Sequence, residues 1–176
     1  MSLSLGVIGV GRIAQILITP LIERGDFLPE NIFGVVGNEE SVPVVLDHLP
    51  DGVCVVASDN PTAEDVWKTP VKLLAIKPQQ LNDIEEKQFK IEGLEASQRP
   101  LLISILAGVS LKRLQKTFPG HACVRAVPNI PVIVRAGLTG LSWGDSITQD
   151  QRSFVKKFFD PISEVLELPE KQLDAF

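Results

Sequence analysis

Short apolar runs alternate with longer amphipathic stretches along most of the chain. The runs are rich in Val, Ile and Leu and are bounded by glycine, proline or small polar residues, which is typical of buried parallel strands. They predict strands over residues 5–8, 31–36, 53–56, 71–76, 101–106, 124–127, 138–143 and 165–168.

The stretches between these runs have helical periodicity. The stretch over 11–24 keeps its apolar residues on one side and is stopped by Gly25, while Pro20 predicts a kink within it. Thr148 begins a capping box, and Thr62 is a candidate N-cap for a shorter helix. The other helices are predicted over 42–49, 61–67, 81–94, 111–118 and 148–159.

This alternation predicts the fold class α/β, as a Rossmann-like, doubly wound, mostly parallel sheet with helices on both faces. A chain of 176 residues with 44% apolar and 22% charged residues has ordinary globular composition. We therefore expect one domain over residues 1–176 with a core that needs no disulfide or metal.

Charge and hydropathy exclude several classes of partner. The net charge is −5, from 17 basic and 22 acidic residues, and no basic run is present, so nucleic acid and anionic membrane are not expected. The apolar runs are far shorter than the ~20 residues of a membrane helix. The first residues lack the pattern of a signal peptide, which predicts a reducing, cytoplasmic location.

The cysteines and histidines carry no metal or catalytic signal. Cys54 and Cys123 each lie inside an apolar run and are predicted to be small buried side chains. His48 and His121 have no partner at ligand spacing, so we expect surface or loop positions for them and no metal site. No serine–histidine–aspartate set or pair of carboxylates suggests itself.

The first strand leads directly into the sequence Gly9-Val10-Gly11-Arg12-Ile13-Ala14, a G-x-G-x-x-A element. Gly9 permits a tight turn, Gly11 lets the backbone approach a diphosphate, and Ala14 lets the helix pack close to the sheet. The free N–H groups of a helix start attract an anion. A glycine-rich turn without ligand is the alternative, but the strand–turn–helix context favours dinucleotide binding.

The end of the second strand should contact the adenosine ribose. Gly37 and Asn38 are neutral and leave room for a 2′-phosphate, whereas Glu39 and Glu40 would oppose one, and no arginine is nearby in sequence. The signal is divided, so NAD and NADP both remain candidates for the cofactor, with a slight preference for NADP.

Ligands of open α/β sheets bind beyond the carboxyl ends of the strands. Taken with the glycine loop, four strand ends predict one crevice. Ordinary turn chemistry is the alternative for each strand end, and it would be the favoured interpretation of Asn60 or of Lys77 taken alone. The four are Ser58-Asp59-Asn60, Ala75-Ile76-Lys77-Pro78, Ile105-Leu106-Ala107-Gly108 and Val127-Pro128-Asn129-Ile130-Pro131.

In this order, the strand ends resemble the pyrroline-5-carboxylate reductase family. The resemblance covers nearly the whole chain, and its most specific part is Val124-Arg-Ala-Val-Pro-Asn-Ile-Pro131 followed by Ala136-Gly-Leu-Thr139. It implies NAD(P)H-dependent reduction of a cyclic imine, pyrroline-5-carboxylate, to L-proline, with this chain as the dinucleotide-binding domain. It implies a diphosphate held by Ile8, Gly9, Val10, Gly11, Arg12 and Ile13.

The resemblance also implies roles for the other strand ends. Gly37, Asn38 and Asn60 would lie near the adenosine ribose, and Asn129 would lie beside the reacting ring. The residues implied to line the cofactor toward its nicotinamide are Ala75, Ile76, Lys77, Pro78, Ile105, Leu106 and Ala107.

Three departures from the family keep alternatives open. Family members continue into a helical domain that forms the dimer and supplies most substrate contacts, and this chain ends before it. Ile130 replaces a threonine, Leu106 a small residue, and Pro20 a glycine. The alternatives are a non-catalytic dinucleotide-binding or regulatory module, an imine reductase for another substrate and, less favoured, an enzyme with a deazaflavin partner. A homo-oligomer is expected only with the helical domain.

Overall fold

The computed structural model describes residues 3–85, 93–129 and 137–174, and the chain forms two compact units, Met1–Ile76 and Lys77–Phe176. The first unit contains two α-helices, α1 (Arg12–Glu23) and α2 (Ser41–Leu46), and a 3₁₀ helix over Pro61–Lys68. Its strands are β1 (Leu5–Ile8), β2 (Ile32–Val36), β3 (Cys54–Ala57) and β4 (Val71–Leu74).

The second unit has the same alternating organisation at its start. Its strands are β5 (Leu101–Ser104), β6 (Ala122–Pro128), β7 (Gly137–Trp143) and β8 (Ser163–Glu167). Its α-helices are α3 (Leu81–Glu85), α4 (Leu111–Thr117), α5 (Gln149–Phe159) and α6 (Glu170–Leu173). The α5 helix has the predicted capping box, in which Thr148 Oγ1 accepts from the Gln151 N–H at 3.2 Å.

The strands form an eight-stranded sheet in the order β3-β2-β1-β4-β5-β6-β7-β8. The recorded pairings are parallel, except that β6 and β7 are antiparallel. Every residue of β1, β4 and β5 is buried, because central strands of a parallel sheet are covered on both faces. The predicted Rossmann-like fold class is confirmed.

The α1 helix begins after the glycine loop and ends in a Schellman motif. Gly25 has φ +80°, its N–H donates to the Ile22 carbonyl at 2.9 Å, and the Asp26 N–H donates to the Leu21 carbonyl at 3.0 Å. The helix is continuous through Pro20, which is buried, and the kink stays a prediction. The apolar face of α1 is buried, including Ala14, Leu17 and Leu21.

The helix predicted over 81–94 is shorter than expected at its far end. It begins at Leu81 as α3, and residues 86–92 lie outside the described part of the chain. Gly93, at φ +76°, and Leu94 are not helical. The polar face of this stretch leaves little apolar area to pack, so propensity alone does not carry the helix to residue 94.

Two predictions of burial were wrong. His121 is not on the surface: it is 3% exposed and its ring meets the Phe118 ring edge-on, with centroids 5.9 Å apart. Cys54 is exposed rather than buried, because β3 is an edge strand whose residues alternate between core and solvent. Cys123 is buried as expected, and this burial raises the pKa of its thiol to about 12.

Neither a membrane span nor a metal-ligand cluster is found where the structure is described. None of the helices within residues 3–85, 93–129 and 137–174 is long and apolar enough to cross a membrane. The same residues contain no group of three potential His, Cys, Asp or Glu ligands.

Candidate functional site

The glycine loop leaves the end of β1 between two neighbouring strands. The Gly9 N–H donates to the Val35 carbonyl of β2 at 2.9 Å, and the Ala75 N–H donates to the Ile8 carbonyl at 2.8 Å. Gly9 has φ +88°, and a Cβ there would lie 2.8 Å from the Ala75 carbonyl carbon and the Ile76 nitrogen. Only glycine fits this turn, as the sequence predicted.

The start of α1 has donors but no side chain that caps them. Gly11 is the N-cap residue, with φ −77° and ψ −178°, and no acidic residue lies in the first turn. A Cβ on Gly11 would meet nothing within 4 Å, so the space above the turn is open. The Gln15 Nε2 donates to the Val10 carbonyl at 3.0 Å and holds the loop. These features fit a diphosphate bound by backbone N–H groups.

The residues after β2 leave room at the predicted ribose position. Gly37 is exposed, and a Cβ there would meet nothing within 4 Å. Asn38 Oδ1 accepts from the N–H and the hydroxyl of Ser41, at 3.0 and 2.8 Å. The Ser58 hydroxyl, from the end of β3, donates to the Gly37 carbonyl at 3.1 Å. The loop is thus held by amide and hydroxyl groups.

Asn60 is the N-cap of a helix for which the sequence indicated Thr62. Its Oδ1 accepts from the N–H and the hydroxyl of Thr62, at 3.0 and 2.8 Å, so Asn60 is the N-cap of the 3₁₀ helix. The prediction that Thr62 is the N-cap was therefore wrong. Because Pro61 has no N–H to donate, the Thr62 N–H is the first backbone donor after Asn60, and Asn60 Oδ1 accepts from it.

Replacing Asn60 with alanine is expected to lower the free energy of unfolding by about 1 kcal/mol, the usual value of an N-cap. Asn60→Asp keeps the accepting oxygen and is the matched control, with a loss below about 0.5 kcal/mol. Urea denaturation of the two variants measures the difference. Equal losses in both variants would contradict the capping role.

The predicted cofactor-lining residues of the second unit lie in turns after strands. Lys77 is exposed, and its N–H donates to Gln80 Oε1 at 3.0 Å at the start of a 3₁₀ turn over Pro78–Gln80. After β5, Ile105 is half-buried, Leu106 is buried and Ala107 is exposed. Their assembly with the glycine loop into one crevice stays a prediction.

Asn129 directly follows β6 and is fixed by two hydrogen bonds to Leu138 near the start of β7. Its N–H donates to the Leu138 carbonyl at 3.1 Å, and its Oδ1 accepts from the Leu138 N–H at 2.9 Å. Asn129 lines an open cavity of about 950 Å³ together with Lys156, Lys157 and Ser163. Ile130 and Pro131 lie outside the described residues.

Sequence reasoning missed a buried ionic cluster in the second unit. Arg125 of β6 is 2% exposed and lies between two carboxylates, with Nη1 3.4 Å from Glu170 Oε1 and Nη2 bonded to Asp174. Glu170 Oε1 also accepts from the Leu111 N–H at 2.6 Å. The cluster ties α6 to β6 and α4, and separations of 45 or more residues left no local signal of it.

Comparison with known proteins gives one family and a consistent set of relatives. A family model described as NADP oxidoreductase, coenzyme F420-dependent, matches residues 4–108. The pyrroline-5-carboxylate reductase of Synechocystis sp. is 40% identical over 176 residues, which cover 99% of this chain and 62% of the relative. That of Mycobacterium tuberculosis is 27% identical, covering 97% of this chain and 57% of the relative.

Solved structures agree on the fold. A pyrroline-5-carboxylate reductase from Coxiella burnetii superposes with a TM-score of 0.78 at 24% identity, covering 98% of this chain and 62% of that one. The Plasmodium falciparum enzyme with NADP bound gives 0.73 at 20% identity, covering 98% and 60%. The chain therefore spans about three fifths of the length of these relatives. The resemblance drawn from the strand-end motifs is confirmed.

Proposed function

Because the chain belongs to the NADP oxidoreductase family described as coenzyme F420-dependent, we propose that it is the cofactor-binding part of a pyrroline-5-carboxylate reductase. In this proposal it binds NADPH or NADH for the reduction of the cyclic imine pyrroline-5-carboxylate to L-proline. The family model ends at residue 108, whereas the likeness to the reductases continues through 99% of the chain. That continuation favours imine reduction over a deazaflavin-dependent reaction.

The observation that carries the proposal is the uncapped start of α1 behind a turn that only glycine fits. Gly9 turns the backbone between β2 and β4, and Gly11 leaves open space in front of the first N–H groups of the helix. A diphosphate needs both features, since its oxygens must approach backbone donors without meeting a side chain.

A bound nicotinamide cofactor would supply the hydride that reduces the imine. The loop from Ile8 to Ile13 would hold its diphosphate, and the open space at Gly37 would receive the adenosine ribose. The hydrogen bond from the Leu138 N–H to Oδ1 would hold the side-chain amide of Asn129, which we propose to position the imine ring. The protein's contribution is alignment of the reactants and exclusion of water.

Catalytic turnover and assembly into oligomers are proposed for a reductase of the relatives' length, not for the 176 residues by themselves. The reductases extend beyond the matched region, and we propose that their remaining part supplies the substrate contacts and the homo-oligomer interface. Two alternatives differ from this proposal in turnover: a divergent imine reductase would reduce another imine, and a non-catalytic module would reduce none. A cytoplasmic location is proposed as well, since exposed Cys54 carries a free thiol.

Titration with NADPH is expected to give saturable binding. Trp67 and Trp143 provide intrinsic fluorescence, and calorimetry gives an independent Kd. NADH and adenosine are the comparison ligands, and adenosine, which lacks the diphosphate, should not saturate. No saturation with NADPH or NADH up to millimolar concentration would disprove the function. Binding without oxidation of NADPH by pyrroline-5-carboxylate in the longest available gene product would instead favour a non-catalytic module.

A further inference from the structure

Three chain segments lie side by side at the carboxyl ends of β1, β2 and β3. Ile8 is paired with Val35, and the Gly9 N–H bonds to the Val35 carbonyl. The Ser58 N–H donates to the Val36 carbonyl at 2.8 Å, and the Ser58 hydroxyl to the Gly37 carbonyl. The glycine loop, the Gly37 turn and the start of the Asn60 turn therefore form one continuous rim.

Among the basic residues of the first unit, one is free to meet an anion at this rim. The first unit contains four basic residues, of which Arg24 pairs with Asp26 beyond the far end of α1, Lys68 pairs with Asp65, and Lys72 is buried. The fourth, Arg12, is exposed and forms no ion pair among the described residues.

Arg12 follows the part of the glycine loop that packs against β2. A Cβ built on Gly34 of β2 would lie 2.7 Å from Val10 Cγ2, so the glycine loop rests against that strand. Arg12 follows two residues later as the first residue of α1. Neighbouring strands are about 4.8 Å apart, so the start of α1 and the Gly37 turn follow adjacent strand ends, a separation that a long side chain such as that of Arg12 can span.

We infer that Arg12 is the residue that selects NADPH over NADH, through an ion pair with the 2′-phosphate of the cofactor. The inference rests on the proposed function. A dianionic phosphate beside Gly37 must overcome the exposed Glu39 and Glu40, and a guanidinium is the group whose planar donors match it. The hydroxyls of Ser41 and Ser58 border the same space, and Gly37 leaves it open.

Arg12→Gln in the full 176-residue chain tests this role. Calorimetry would compare NADPH with NADH, and 2′,5′-ADP with 5′-AMP, the latter pair isolating the 2′-phosphate from the nicotinamide. The Kd for NADPH and 2′,5′-ADP is expected to rise by about 10- to 100-fold, and that for NADH and 5′-AMP by less than about 3-fold. Arg12→Lys should restore part of the loss, and Arg24→Gln is the matched control with no change.

Each other outcome overturns the inference in a distinguishable way. Equal weakening of all four ligands would assign Arg12 to the diphosphate and leave dinucleotide binding in place. Unchanged affinity of Arg12→Gln for all four ligands would remove Arg12 from the site altogether. Failure of the unsubstituted chain to bind any of the four ligands would refute the proposed function together with this inference.

Discussion

Replacing Gly11 with serine is expected to weaken NADPH binding strongly while the fold remains intact. The N-cap backbone of Gly11 has ordinary angles, and a side chain there meets no protein atom within 4 Å. A serine hydroxyl can accept from the first N–H groups of α1, as N-cap serines do, and would occupy the space needed by a diphosphate. Binding should weaken by about 100-fold, corresponding to about 3 kcal/mol of lost charge-assisted hydrogen bonds.

Gly9→Ala provides the contrast. Its φ of +88° and the 2.8 Å approach to the Ala75 backbone predict a loss of about 3 kcal/mol of unfolding free energy as well as of binding. Urea denaturation and NADPH calorimetry on both variants separate the effects. If Gly11→Ser bound NADPH normally while retaining its stability, the diphosphate would not lie at the start of α1.

The second large effect is expected at Lys72, which is enclosed in the central strand β4. Its side chain is fully buried, its Nζ donates to the Thr69 carbonyl at 2.5 Å, and desolvation lowers its pKa from 10.5 to about 8. Below pH 8 the folded protein must therefore hold a buried cation that the unfolded chain keeps in water. Lys72→Met is expected to raise the free energy of unfolding by about 2 kcal/mol at pH 7.

The pH dependence identifies the cause. Since the pKa of Lys72 is depressed by folding, its favourable contribution is complete above pH 10.5 and is lost as the pH falls through about 8. The gap between the unfolding free energies of Lys72→Met and of the unsubstituted chain should narrow steadily between pH 8 and pH 10 and approach zero only above pH 10.5. Lys68→Met, at an exposed position of the same unit, is the control with no such trend. A gap that stays constant from pH 7 to pH 10 would mean that packing, not charge, separates the variants.

Local patterns were sufficient where local interactions decide the structure. The β1 strand has the predicted bounds because a short apolar run between polar ends and glycine allows few alternatives. The Thr148 capping box and the Gly25 helix stop were predictable for the same reason, since their donors and acceptors lie within five residues of one another. The glycine loop belongs to this group.

Features that depend on strand order or distant packing were not predictable. Cys54 lies in an apolar run like those of the central strands, but its exposure follows from the edge position of β3. His121 follows a Pro-Gly turn, yet its neighbour Ala122 already bonds to the Pro100 carbonyl, which draws the histidine into the core. The closeness of the glycine loop to the end of β2 was not visible in the sequence either, because the two come together only when β1 and β2 pair.

The uncapped N–H groups at the start of α1 also link the cellular lifetime of this chain to the supply of its cofactor. A ligand that completes those bonds binds only the native form, and at a concentration of 100 times its Kd it adds about 2.7 kcal/mol to the unfolding free energy. A cell rich in reduced dinucleotide would thereby shield the polypeptide from proteases, and a depleted one would clear it sooner. Abundance and redox supply would then rise and fall together without any dedicated regulator.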